Sequence, residues 1–181
     1  MNADDTCYID LLINKCLIDI GRAANMAWLF FDSDREKQAV DKSGFLLHVQ
    51  SPFRMIDMID PEKSEVLFAS LDMYLPNSEN EQSLKFAGGV HGNNRYDEEA
   101  KKWLQENESV YVKKLHFNVL GDLRLLLSNG HVFEVRVTSS LDGEYDECWR
   151  FFERGSDRPH FVVNGKKTIH ERAVDLNYKW E

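Results

Sequence analysis

The chain has 181 residues, 43% of them hydrophobic, which suits one domain with a sizeable core. Its 31 acidic side chains outnumber 22 basic ones, and the formal charge of -9 repels nucleic-acid phosphates and anionic membranes at long range. With 29% charged residues and only four prolines, a long disordered tail or a proline-rich linker is also disfavoured.

Cys7, Cys16 and Cys148 form no CxxC pair, and an odd number cannot all pair within one chain, so a reducing, cytoplasmic compartment is expected. The opening MNADDTCYIDLLINK carries acids where a secretory signal would be basic. No apolar run approaches the length of a membrane span.

In chain order, residues 4–14 suit a short helix, with Asp4 or Asp5 capping and Tyr8, Leu11 and Leu12 at helical spacing. CLIDIGRAANMAWLFFD follows, broken between Gly21 and Asn25. After the break Met26, Trp28 and Phe30 alternate with Ala27, Leu29 and Phe31, so both faces are apolar and a buried strand is expected, although a continuous helix would also accommodate Ala23, Ala24, Met26 and Ala27. Residues 32–44 read as a polar loop.

Phe45 to Gln50 reads as a strand limited by Pro52, and Phe53 to Ile59 as its continuation past a bulge. Asp60 to Lys63 turns the chain, and Glu65 to Tyr74 returns as a strand. Pro76 to Gly92 is a long loop. Its Gly88-Gly89-Val90-His91-Gly92 run lacks the spacing of a phosphate-binding motif and reads as a flexible loop, a candidate for contacting a partner. A helix is expected over Asp97 to Asn107, with Tyr96, Ala100, Trp103 and Leu104 on one stripe and Asp97–Lys101 and Glu98–Lys102 spaced as i,i+4 pairs.

Val110 to Val137 reads as a three-stranded meander turned at Gly121-Asp122 and Asn129-Gly130, the second dipeptide predicting a two-residue hairpin. Its last strand sends Phe133, Val135 and Val137 to one side and Val132, Glu134 and Arg136 to the other. Asp142-Gly143 turns the chain into the strand Glu147 to Glu153, and Asn164-Gly165 suggests a hairpin between 160–163 and 167–170. The whole predicts a single α+β domain over residues 1–181: an antiparallel meander or sandwich with one or two flanking helices.

Signals for chemistry are sparse. Of His48, His91, His116, His131, His160 and His170, no two lie within five residues of each other, so compact metal-binding motifs are absent. There is no GxSxG, and Cys148, beside Glu147 and Trp149, reads as a core thiol. Arg150 in CWRFF is expected to snorkel or to pair with an acid at the sheet surface, with a polar site as the lesser reading. Two acidic groups, Asp97-Glu98-Glu99 and Asp142, Glu144, Asp146 and Glu147, are expected to contact a basic protein partner. No catalytic residue, cofactor or metal is expected; the alternative is an enzyme with a dispersed site drawing on His48, His91, His116 or Asp72, or a subunit of a larger assembly.

GRAANMAWLFFD, LLHVQSPFR, SLDMY, GDLRLLLSNGHVFEV and ECWRFF, in that order, resemble a group of bacterial single-domain proteins similar to immunity proteins of polymorphic toxin systems. The resemblance rests on turns and strand faces and transfers no catalytic residue. It implies a bacterial cytoplasmic protein that acts by binding, with an immunity-type inhibitor of a basic toxin as one form.

Overall fold

The computed structural model describes residues 8–33, 44–78, 90–140 and 146–165. Ten strands form two antiparallel five-stranded sheets. The first runs in the order β1 (Cys16–Ala23), β2 (Met26–Asp32), β3 (Phe45–Val49), β9 (Glu147–Glu153) and β10 (Phe161–Asn164). The second runs β5 (Glu65–Ala69), β4 (Phe53–Asp57), β8 (His131–Val135), β7 (Leu123–Leu127) and β6 (Val112–Phe117). Between the facing sheets lie alternate residues of every central strand, including Leu29, Phe31, Leu47, Met55, Leu125, Phe133, Trp149 and Phe151. This is the antiparallel α+β arrangement expected, in its sandwich form.

The strand reading of residues 16–32 holds and the continuous helix does not form: β1 and β2 pair antiparallel as a hairpin across Ala24-Asn25. The expected meander is also present, with β8, β7 and β6 adjacent in order. Its second turn differs. Gly130 N bonds Leu127 O, and Gly130 has positive φ while Asn129 does not. The loop is therefore a type I turn closed by a left-handed glycine, and the Asn129 side chain caps it by accepting from His131 N.

Two strands predicted as continuous are interrupted. β3 and β4 do not continue through a bulge but belong to different sheets, and the chain crosses at Gln50 to Pro52, where both Gln50 N and Ser51 N bond Cys148 O. Pro52 has no N–H to extend the first ladder, so the crossing falls there. The strand expected through Tyr74 ends at Ala69, and Ser70–Tyr74 is a 3-10 turn because the Asp72 carboxylate accepts from Ala69 N.

The helix α1 (Arg95–Glu106) buries Tyr96, Ala100 and Trp103 and packs against β1, β5 and the 3-10 turn at 70–74. Asn94 caps it, its side chain accepting from Asp97 N. Asp97 does not pair with Lys101: both its carboxylate oxygens are taken by the guanidinium of Arg22, buried at the end of β1. No helix among the described residues is long and apolar enough to cross a membrane. Asp32 of the expected loop at 32–44 ends β2 instead, while 34–43 of that loop, most of the 76–92 loop, the turn at Asp142-Gly143, the return strand 167–170 and the C-terminal DLNYKW lie outside the described residues.

Candidate functional site

The outer face of the first sheet is not a plain polar surface. Because β2 is apolar on both sides, its inward residues build the core while Trp28 and Phe30 face outward. Strand register extends them into two rows across the sheet. One contains Gly21, Trp28, His48 and Arg150, and the other Asp19, Phe30, Leu46 and Phe152. Asp19, Trp28, Phe30, Leu46, His48 and Arg154 line an open groove of about 260 Å³. Its lining is largely aromatic and apolar and includes one acid, Asp19, and one base, Arg154.

The Arg154 guanidinium lies 5.4 Å from the Phe30 ring centroid, a cation–π contact that leaves Phe30 buried. Asp19 lines the same groove, opposite Phe30 in the strand register. Its Oδ1 accepts from the backbone N of Ile20 at 2.9 Å, and among the described residues no lysine or arginine pairs with it. Half-burial raises its pKa, with that backbone bond opposing the shift. A cation brought to this groove would meet a partly desolvated carboxylate and aromatic rings.

The rest of the face is internally matched. The Glu147 carboxylate takes both Nε and Nη2 of Arg150, with Nε to Oε1 at 2.6 Å, so the arginine finds the surface acid expected of it and its pKa is raised by that bond. His48 meets Phe152 edge-on at 4.9 Å, and His160 stacks on Phe152 at 4.2 Å. Burial first and the Arg150 charge second lower the pKa of both imidazoles, so they are neutral at pH 7 and do not repel a cation in the groove.

Gly21 makes the groove possible. The Trp28 indole lies across it, and a Cβ built there would fall within 2.7 Å of indole Cε2. Gly21→Ala is expected to cost about 1–3 kcal/mol through overpacking and to push the indole off β1. Urea unfolding and the Trp28 indole N–H resonance check this; an unchanged resonance would show that the glycine has no such role.

The acids expected to contact a partner are distributed differently. Asp97, its side chain 11% exposed, is occupied by Arg22 and by Gly92 N, and Glu147, at 7%, by Arg150. Glu98 accepts from both the backbone N and hydroxyl of Ser78, which lowers its pKa. Glu99 lies half-buried on α1 and Asp146 just before β9, while Asp142 and Glu144 lie outside the described residues. No hydrogen bond or ion pair among the described residues joins the two groups.

Nor do the residues of the dispersed-site alternative converge. His48 is on the outer face of one sheet and His116 on the outer face of the other, and Asp72 caps its own turn. Among the described residues no group of three or more His, Cys, Asp or Glu side chains is placed to hold a metal ion. Cys148 is a buried core thiol. His131 is buried too, its Nδ1 accepting from the Trp103 indole at 2.8 Å, which leaves Nδ1 unprotonated and places the ring proton on Nε2.

Sequence reasoning missed Asp19, Trp28 and Phe30 as a site. The signal was present in MAWLFFD, whose second apolar face a two-layer sandwich cannot bury. No protein-family model, curated protein or solved structure matches this chain.

Proposed function

We propose that the chain is a non-enzymatic protein-binding domain that seats a basic side chain of its partner in the groove, between the Trp28 indole and the Asp19 carboxylate. The observation that carries this reading is the half-buried Asp19, which has no cationic partner among the described residues and lines an aromatic groove. Burying a carboxylate without a counter-ion costs stability, and a lysine or arginine from a partner offsets that cost while stacking on the indole. An immunity-type inhibitor covering a basic toxin, in a bacterial cytoplasm, is the form of this reading that the sequence resemblance implies.

The test uses a lysine-rich peptide as probe and Asp19→Asn as the variant. Peptide binding shifts the Trp28 indole N–H resonance, weakens with salt, and is lost in D19N. D19N is also expected to be slightly more stable than the parent at pH 7, by no more than about 0.5 kcal/mol after allowing for solvent screening. The sign follows from the raised pKa. The folded state holds the Asp19 proton more tightly than the unfolded chain, so this group's contribution falls as pH rises from the ordinary 3.8 through the raised value. Above that value the penalty is fully present, and asparagine removes it. Peptide binding that D19N leaves intact would overturn the reading.

A further inference from the structure

The C-terminal end of α1 meets the second sheet through a closed ring of polar side chains. Trp103, 5% exposed, lies edge-on to Phe68 with ring centroids 6.2 Å apart and donates its indole N–H to His131 Nδ1 at 2.8 Å. Asn129 Nδ2 lies 3.1 Å from the same nitrogen. The other bonds of that amide fix which way it points, since its Oδ1 accepts from His131 N at 3.1 Å and its Nδ2 donates to Asn107 Oδ1 at 2.9 Å. Asn107 closes the ring by donating from Nδ2 to Trp103 O at 2.9 Å. Both neighbours of His131 Nδ1 therefore offer it hydrogens. A neutral imidazole with its proton on Nε2 satisfies this network. An imidazolium donates from both nitrogens and would aim Nδ1–H at two other donors.

The charged groups facing the ring are few. β4 presents Asp57, which pairs with His131 in the strand register and whose Oδ2 lies 3.9 Å from Nε2. On the far side of Asp57, β5 contributes the exposed Glu65. α1 and its cap bring the uncharged Trp103 and Asn107, the turn brings Asn129, and β7 meets this end of β8 through Leu126. Among the described residues Asp57 is the one charge that acts on the imidazole. It favours a proton there, while burial, the larger influence, disfavours it and lowers the pKa.

We propose that His131 is a pH-sensitive latch, holding the C-terminal end of α1 on the second sheet while Nδ1 is bare and releasing Trp103 when that nitrogen takes a proton. The latch is independent of the aromatic groove. Its direction follows from the lowered pKa. The opened chain binds the proton more tightly than the closed one, so the latch is intact above the ordinary 6.5 and is lost as pH falls from there through the lowered value. Within that window local opening rises by up to about tenfold per pH unit.

The full chain is taken from about pH 7.5 to about pH 4.5, across the range in which histidine titrates, while NMR follows the ring-nitrogen shifts of His131 and the solvent exchange of the Trp103 indole N–H, corrected for its intrinsic pH dependence. A local readout is needed because burial also lowers the pKa of His48, His116 and His160, and all four histidines weigh on a global melting curve. The expected result is a bare Nδ1 at neutral pH and protection of the Trp103 N–H that falls as His131 takes up its proton. In His131→Gln the side-chain oxygen accepts the same N–H but does not titrate, so protection is expected to stay level across the range. Trp103→Phe removes one of the two donors to Nδ1 and is expected to raise the His131 midpoint by about 0.5–1 pH unit. A proton on Nδ1 at neutral pH would overturn the proposal, as would Trp103 protection that stays level while His131 titrates, or the same acid loss in H131Q. Should H131Q fail to fold, W103F decides: an unmoved His131 midpoint would show that the indole does not oppose the proton.

Discussion

Arg22→Ala is expected to lower the unfolding free energy by about 3–5 kcal/mol, because it strands a buried carboxylate. The Arg22 side chain is 1% exposed, and its Nε and Nη2 meet the two oxygens of Asp97 at 2.8 and 2.9 Å. The same guanidinium donates to Ala24 O at 2.9 Å and to Val90 O at 3.0 Å. One side chain thus ties the β1–β2 turn, the segment leading into α1 and the first turn of α1 together. Deleting it leaves Asp97 and two carbonyls without that donor. A double-mutant cycle with Asp97→Ala separates coupling from the cost of an orphaned charge, and an interaction energy of about 1–3 kcal/mol is expected. Urea unfolding checks this. A loss below about 1 kcal/mol for R22A would mean that water enters and solvates Asp97, and that the pair is not a fastening point.

Trp149→Ala is expected to cost as much, about 3–5 kcal/mol, for a different reason. Trp149 is fully buried, packs at 5.5 Å against Phe161 and 6.4 Å against Phe117, and donates its indole N–H to Gly121 O at 2.8 Å. It therefore joins β9 and β10 of the first sheet to β6 and the β6–β7 turn of the second. Truncation removes a large apolar surface, opens a cavity between the sheets and leaves the Gly121 carbonyl without its donor. Trp149→Phe retains most of the packing and isolates the hydrogen bond, at about 1–2 kcal/mol. Should W149A be too unstable to measure, W149F still decides the point: a variant as stable as the parent would show that the bond to Gly121 contributes nothing.

Much of the fold is legible in local pattern. The alternation in VFEVRV, the positive-φ glycines at Gly121 and Gly130 and the asparagine cap before an amphipathic run each act over a few residues, so the meander and α1 are readable from the chain alone. Asp97 and Glu147 turn out to be occupied within the chain, which the sequence did not show because charge in a sequence carries no information about what neutralises it. Asp97 is 75 residues from Arg22, and its helical neighbour Lys101 was the nearer candidate by spacing. Glu147 is paired three residues away, but only the structure shows its carboxylate almost buried by that contact.

The amino-acid sequence by itself determined the strands, most of the turns, the helix and the antiparallel class, since these follow from periodicity and from backbone preferences of single residues. Tertiary structure alone decided that β3 and β4 part into different sheets, and which outward faces are stocked with chemistry. Register does the latter. It sets Trp28 beside His48 and His48 beside Arg150, and Arg54 and Arg124 on either side of Glu134, from strands far apart in the chain. A shift of one residue in any of these pairings would send the same side chains to the opposite face.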